Sequence, residues 1–413
     1  MKNLRRLLWV IALFPWFDFL IRQTLPSFVA STWDELLLLA VLGLLFIYKW
    51  EECRRGELEY TAIPSTVTWP FIIFAFFAAA SIVVNVVPLT VSIDAVRVVF
   101  QPMFFAAATM FLMDDEKNLD VFLRILVIST IIIAVFGIVQ YALKLDLGLW
   151  QHSKDTGQFR ITSIFSNPNA LGSYFNMVLA FTLASILLRG SIKQKMLYAG
   201  ASAVIFVALL LTFSRSAWIA FVAMMLYFIF VYNKKWLLAV PVLGALTPFI
   251  MPPSVIARFS NLLDPTYYQM SAEYGRLAFW GTALEKIKES PLVGVGLGTF
   301  GDSVPLRHNI PFSTWVDNHY LKFGAEIGIP GMLAFLALLL ALFLLAHKLY
   351  TRGETENKRI FALGIAGVII TMGVQNVTAS IFEGLANAIF FYTFVGILFA
   401  FLPRKKKEGC KRE

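Results

Sequence analysis

Arg215 sits in the stretch LLLTFSRSAWIAF, between two apolar runs that are each nearly long enough to cross a membrane, with no acidic residue nearby in sequence. A permanent cation in that setting either snorkels to lipid headgroups or holds an anion. Two more arginines share its circumstances. Arg160 lies in GQFRITSIFSNPNALGSY, shortly before Asn167, Pro168 and Asn169 open a helix, and Arg276 lies in SAEYGRLAFWGTALEKIKESP. Singly, each is read as well by solvation or headgroup contact. Together, each beside a helix terminus, three guanidinium groups would hold a doubly or triply charged anion such as pyrophosphate. The planar fork donates paired hydrogen bonds to phosphate oxygens and stays protonated at any working pH.

A proton acceptor could come from STWVDNHYLKFGAEIGIPGMLAF, where Asp317, Asn318 and His319 precede an amphipathic turn. A carboxylate or imidazole there can take the proton of an attacking hydroxyl, an effect worth ~10² to 10⁴ in rate. The competing reading of Asp317 is ordinary helix capping. Metal chemistry is not expected, since His152 and His308 lack partners at ligand spacing. The glycines of GVGLGTFG do not follow a strand in a βαβ unit, so they read as a tight loop allowing close backbone approach. Asp94, three residues before Arg97, is expected to pair with it inside the bundle.

The elements that must position these groups follow from composition. Of 413 residues 58% are hydrophobic and only 15% charged, with a mean hydropathy of +0.72, which excludes an ordinary soluble domain. A bilayer core of ~30 Å needs ~20 apolar residues per helix, and the sequence supplies such runs repeatedly between short polar breaks. The fold class is therefore all-α: a polytopic transmembrane bundle forming one integral membrane domain over 1–413. Two-residue alternation of a barrel strand is absent. Two cysteines are too few for a disulfide framework or a two-plus-two metal site.

Twelve spans are expected near 7–23, 32–48, 66–85, 91–112, 119–143, 168–188, 196–213, 216–232, 235–251, 329–347, 359–381 and 385–402. Lysine and arginine collect in alternate short loops and in the tail PRKKKEGCKRE, which places both termini in the cytoplasm and explains most of the net charge of +9 without a nucleic-acid partner. Two long segments then lie outside, about 144–167 and 252–328. In the second, Tyr274, Leu277, Ala278, Trp280, Leu284 and Ile287 approximate an apolar helical stripe ended by Pro291. Trp150, Tyr267, Tyr268 and Trp315 could stack on sugar rings or anchor at the interface.

The order of these fragments, from Arg160 and the Asn167-Pro168-Asn169 turn through Ser214-Arg215 and Arg276 to Asp317-Asn318, Tyr320 and Pro330-Gly331, resembles the O-antigen ligase and polymerase superfamily over residues 155–335. The resemblance implies a membrane glycosyltransferase that needs no cofactor. Such an enzyme moves an undecaprenyl-pyrophosphate-linked glycan to an acceptor glycan or lipid on the outer face of a bacterial cytoplasmic membrane, with inversion and without metal, in the company of envelope-assembly proteins. Arg160, Arg215 and Arg276 would hold the pyrophosphate, Asp317 or His319 would activate the acceptor, and Asn169, Asn318 and Tyr320 would support them. Ligases of lipopolysaccharide show a His-Asn pair where this sequence has Asp317-Asn318, so the polymerase branch is the closer likeness. A transporter or flippase of a lipid-linked or anionic substrate is the alternative, kept open by Arg97 in mid-span.

Overall fold

The computed structural model describes residues 7–55, 59–113, 116–147, 159–239, 241, 253–260, 264–311, 313 and 315–406. Helices dominate. In chain order they are α1 (Leu7–Ala12), α2 (Phe14–Thr24), α3 (Ser27–Arg54), α4 (Ser65–Val84), α5 (Leu89–Leu112), α6 (Glu116–Leu143), α7 (Pro168–Leu188), α8 (Ile192–Leu211) and α9 (Arg215–Asn233). After them come α10 (Pro253–Ser260), α11 (Pro265–Tyr274), α12 (Arg276–Glu289), α13 (Ser303–Arg307), α14 (His319–Arg352), α15 (Glu356–Gln375) and α16 (Leu385–Ala400). Two three-residue strands, β1 (Glu59–Thr61) and β2 (Arg404–Lys406), pair antiparallel.

Among the described residues eight helices are long and apolar enough to cross a membrane, and α16 is a shorter apolar one. A bilayer offers no partner to free backbone groups, so helices that satisfy their own amides are the form such runs must take. The first expected span is instead two helices interrupted at Leu13, with Pro15 in the first turn of the second. Lys234–Ala239 continues α9 as a 3-10 turn, and apart from residue 241 the remainder of the span expected at 235–251 lies outside the described residues. Trp150 and His152 also lie outside them.

The centre of the bundle is made by α7, α15 and α16. Every residue of α16 from Asn387 to Phe399 is buried, whereas α4 turns Trp69, Ile72, Ile73 and Phe76 outward as a lipid-facing side must. Close packing depends on small residues, as membrane helix contacts generally do. A Cβ on Gly364 would meet the Phe181 ring at 2.4 Å, bringing α15 against α7.

Chain alternation brings the C-terminal ends of α2, α4, α6, α8 and α15 to one end of the bundle with the N-terminal ends of α5, α7, α9, α14 and α16. Cross-links confirm the grouping there: Gln375 Nε2 donates to Asn169 O at 3.0 Å, Asn387 Nδ2 to Ala170 O at 3.1 Å, and Asn85 Nδ2 to Gly294 O at 3.1 Å. At the opposite end the buried Arg189 joins Asp120 at 2.6 Å and Glu356 at 3.2 Å, tying α7 to α6 and α15.

Two departures from the expected layout shape the first end. Helix α14 starts at His319, ten residues before the expected span, and breaks at Gly328 (φ 78°, ψ 169°), where a Cβ would lie 2.3 Å from Leu292 O. Its first piece is buried under the loop before it. The amphipathic segment is likewise split at Gly275 into α11 and α12. Only Ala283 of α12 is buried, and Trp280 and Ile287 pack beside it against Phe300, Val316 and Ala325. Tyr274 and Leu284 of the expected stripe are exposed, because the contact face is set by Trp280, Ala283 and Ile287.

Candidate functional site

Arg160 stands on a loop held from below rather than on a solvated one. Ile161 N donates to Leu211 O at 3.2 Å, and Gln140 Oε1 accepts Thr162 N and Ser163 N at 3.1 and 2.8 Å. The guanidinium is thereby aimed at the N-terminal turn of α7: its Nε donates to Thr212 O at 2.9 Å and an Nη to Asn169 Oδ1 at 3.1 Å. Asn167 caps that helix, accepting Ala170 N at 2.8 Å. Asn169 also accepts from Ser214 Oγ at 2.9 Å, which links Arg160's support to the residue that caps α9.

Arg215 is the first residue of α9, in the two-helix turn where the sequence placed it. It donates to Tyr267 Oη at 3.0 Å and to Arg258 O at 3.3 Å, and its guanidinium carbon is 5.1 Å from the centre of the Tyr267 ring. Arg258, from α10, returns a bond to Phe213 O at 3.4 Å. Arg276 begins α12 and pairs with Asp317, Nε to Oδ2, at 2.9 Å.

These arginines feel one another. Burial, with Arg258, Arg276 and Arg215 as neighbours, pulls Arg160 down to about 9. Burial and the charges of Arg215 and Arg276 lower Arg258 as well, against the opposing effect of Tyr267. The cluster gathers positive charge that a bound anion would offset. Among the described residues the ion pair recorded for the four is Arg276 with Asp317. The N-terminal ends of α7 and α9 meet there too, joined by Ser214 and Asn169, and helix N-termini favour negative charge. Arg258 was not anticipated. It lies in the short helix α10, and no motif marks it.

Asp317 does not cap α14; Asn318 does, accepting Tyr320 N at 3.1 Å and Leu321 N at 3.0 Å. Capping by the next residue leaves Asp317 free, in a left-handed conformation (φ 53°), to reach Arg276. The loop beneath it is clamped on both sides: Trp280 Nε1 donates to Val316 O, and Val316 N to Asp302 Oδ1, each at 3.0 Å. Tyr320 donates to Gly373 O at 2.6 Å, bracing α14 on α15. Asn318 and Tyr320 therefore hold the backbone, while Asn169 touches Arg160 directly. His319 is only 3% exposed, its ring 4.4 Å from that of Phe323 and 5.3 Å from that of Phe382.

Beneath Asp317 lies a buried charged network that the sequence reading did not single out. Lys322 pairs with Glu383 from the turn before α16, and Glu326 accepts the backbone N–H groups of Phe300 and Gly301 at 3.2 and 3.0 Å. The glycine loop needs this closeness: a Cβ on Gly294 (φ 69°) would be 2.3 Å from the Glu326 carbonyl carbon. Charges four residues apart in an apolar stretch, as Lys322 and Glu326 are, were the available signal. Asp302, His319 and Glu383 place ligand atoms within 4.8 Å of one another, a spacing compatible with a metal ion, but the Lys322 ammonium already supplies a cation to Glu383. Asp94 pairs with Arg307 at 3.0 Å and Arg97 with Glu35, partners on other elements that the sequence spacing did not indicate.

Residues 200–336 match the family model described as O-antigen ligase. This stretch runs from α8 into α14 and takes in Arg215, Arg258, Arg276 and Asp317. The match supports placement in the O-antigen ligase and polymerase superfamily, and with it a glycosyltransferase-like membrane protein; it does not separate ligase from polymerase and does not favour a transporter. Among curated proteins no significant match to this sequence is found.

Proposed function

We propose that this chain transfers a glycan from an undecaprenyl-pyrophosphate donor to an acceptor hydroxyl at the outer face of a bacterial cytoplasmic membrane, with inversion and without a metal. The observation that carries the reading is the convergence of four arginines: Arg160 bonds Thr212 O, Arg258 bonds the adjacent Phe213 O, Arg215 bonds Arg258 O, and Arg276 is their charged neighbour. Departure of a sugar from a lipid diphosphate leaves charge on the bridging oxygen, and fixed cations in a partly dehydrated groove stabilise it without reorganising. The bond of Asp317 to one of those arginines supports setting it beside the anomeric carbon of such a donor. We assign it as the acceptor's base. The aromatic packing around His319 keeps a substrate hydroxyl from its ring. Asp317-Asn318 in place of a His-Asn pair favours joining of repeat units over ligation to a lipid core.

Reconstitution in vesicles with lipid-linked repeat units tests the proposal. New glycosidic bonds, with release of undecaprenyl pyrophosphate, are expected; flux of the lipid-linked sugar without bond formation would reject transfer in favour of transport. Asp317→Asn is expected to lower transfer by ~10² to 10⁴ while pyrophosphate still binds. Unchanged turnover in that variant would remove Asp317 from the chemistry.

A further inference from the structure

Helix α11 has no buried residue of its own, yet it reaches the arginine cluster. Its start is set locally: Pro265 occupies the first turn, and Asp264 caps it by accepting Thr266 N at 2.9 Å. Tyr267 follows in that turn. It and Ser271 are half-buried while the other residues of the helix are exposed, so one narrow face of α11 is turned inward. Among the described residues the hydrogen bond recorded from that helix to the transmembrane bundle is the one between Tyr267 and Arg215.

Two contacts join the pair, and they ask different things of the tyrosine. The Arg215 guanidinium carbon lies 5.1 Å from the centre of the ring, a contact for which the ring alone suffices. The phenol oxygen is the part left to explain. It accepts from an Arg215 Nη at 3.0 Å, and a phenol that accepts still has its own proton to donate. Arginine side chains offer no acceptor, so neither the Arg215 nor the Arg258 guanidinium can take that proton. Among the described residues no other acceptor is recorded for it. Its surroundings are cationic: Arg215 also donates to Arg258 O at 3.3 Å, and Tyr267 is one of the neighbours that act on the Arg258 charge. A hydrogen bond received from a cation polarises the hydroxyl and strengthens its own donation. The acceptor such a group suits is an anionic oxygen held by the same two arginines.

We infer that Tyr267 is a ligand-binding residue of the diphosphate site, its hydroxyl held by Arg215 and donating a hydrogen bond to a phosphate oxygen bound between Arg215 and Arg258. This inference rests on the transferase reading above and adds to it a neutral donor, carried by a helix outside the transmembrane bundle.

The test uses the full chain in lipid nanodiscs, with inorganic pyrophosphate as the probe. Calorimetry reads affinity. Tyr267→Phe keeps the ring over Arg215 and removes the hydroxyl, and should weaken pyrophosphate by about tenfold, the loss of one hydrogen bond to a charged group. Tyr274→Phe, at a side chain of the same helix that is 82% exposed, should bind as the unaltered protein does. A second measurement separates donation to the anion from simple support of Arg215: in protein labelled at tyrosine Cζ, the resonance that disappears in Tyr267→Phe should shift when pyrophosphate is added, and should stay in place when sodium chloride is added to equal ionic strength. Affinity of Tyr267→Phe within about twofold of the unaltered chain overturns the inference. So does a Tyr267 resonance that pyrophosphate leaves unmoved, since the phenol would then only hold Arg215. If the unaltered protein binds no pyrophosphate, the diphosphate reading itself fails and takes this inference with it; binding that is lost in Arg215→Ala but kept in Tyr267→Phe overturns the inference alone.

Discussion

Removal of the Arg258 side chain is the sharpest probe of the cluster, because that residue enters it through tertiary structure alone. Among the described residues its guanidinium makes one hydrogen bond, to Phe213 O at 3.4 Å, while Arg215 is anchored by the backbone carbonyl of Arg258 and by Tyr267. Arg258→Ala therefore deletes a cation without deleting the support of its neighbour. A hydrogen bond to a charged partner is worth about 1.5–3 kcal/mol, which corresponds to a loss of about 10- to 150-fold in affinity for pyrophosphate. The Arg258 guanidinium is already partly engaged by Phe213 O, so the lower half of the range is expected. Calorimetric titration of the detergent-solubilised full chain with inorganic pyrophosphate reads the change, and raised salt should weaken the unaltered protein more than the variant. If Arg258→Ala binds pyrophosphate within about twofold of the unaltered chain, a difference of under half a kcal/mol, while Arg160→Ala and Arg215→Ala bind poorly, the four-arginine site is refuted and Arg258 is only a neighbour.

Gly328→Ala places a Cβ 2.3 Å from Leu292 O at a backbone angle of φ 78°, so a loss of more than about 3 kcal/mol is expected, seen as poor recovery of folded protein; normal yield and melting would show that the break in α14 is not needed. Arg189→Ala deletes the residue shared by Asp120, Glu356 and Asn357; because its partners are partly hydrated, a loss of about 1–3 kcal/mol is expected as a lower melting temperature, with pyrophosphate affinity unaltered at the far end of the bundle. Burial, opposed by Lys322 and aided by Glu383, holds the Asp302 carboxyl up to about 7. The folded chain then keeps a proton that the unfolded chain releases above ~4, so stability contributed by this group is full at low pH and lost as pH rises toward 7. Thermal melts between those limits should show the decline, Asp302→Asn should flatten it, and an equal slope in both proteins would contradict the assignment.

Much of the bundle is legible in the order of residues because the bilayer is a demanding solvent. Apolar runs such as Ser65–Val84 and Glu116–Leu143 have no alternative to a helix when no water is present to bond their amides. The turn that presents Arg215 follows from two such runs meeting at Thr212 to Ser214. What reads poorly is any segment whose partner is distant in sequence. The stripe expected from Tyr274 to Ile287 failed at Gly275, since packing of Trp280 and Ile287 on Phe300, Val316 and Ala325 chose the face. Asp94 and Arg97 suggest each other as partners by spacing, while the ion pairs to Arg307 and Glu35 come from helices distant in sequence.

The site divides in the same way. Local chemistry singled out Arg160, Arg215, Arg276 and Asp317 as candidates, because a fixed charge in an apolar neighbourhood is conspicuous wherever it occurs in a sequence. Tertiary structure alone decided that Arg258 joins them, that Asn318 and not Asp317 caps α14, that His319 is enclosed by phenylalanines, and that Glu383 meets Lys322 across 61 residues. The reason is physical: the cost of a charge in a membrane protein depends on its own immediate surroundings, but its partner is set by which helix ends the fold brings within a few ångströms, and that distance is a property of the whole bundle.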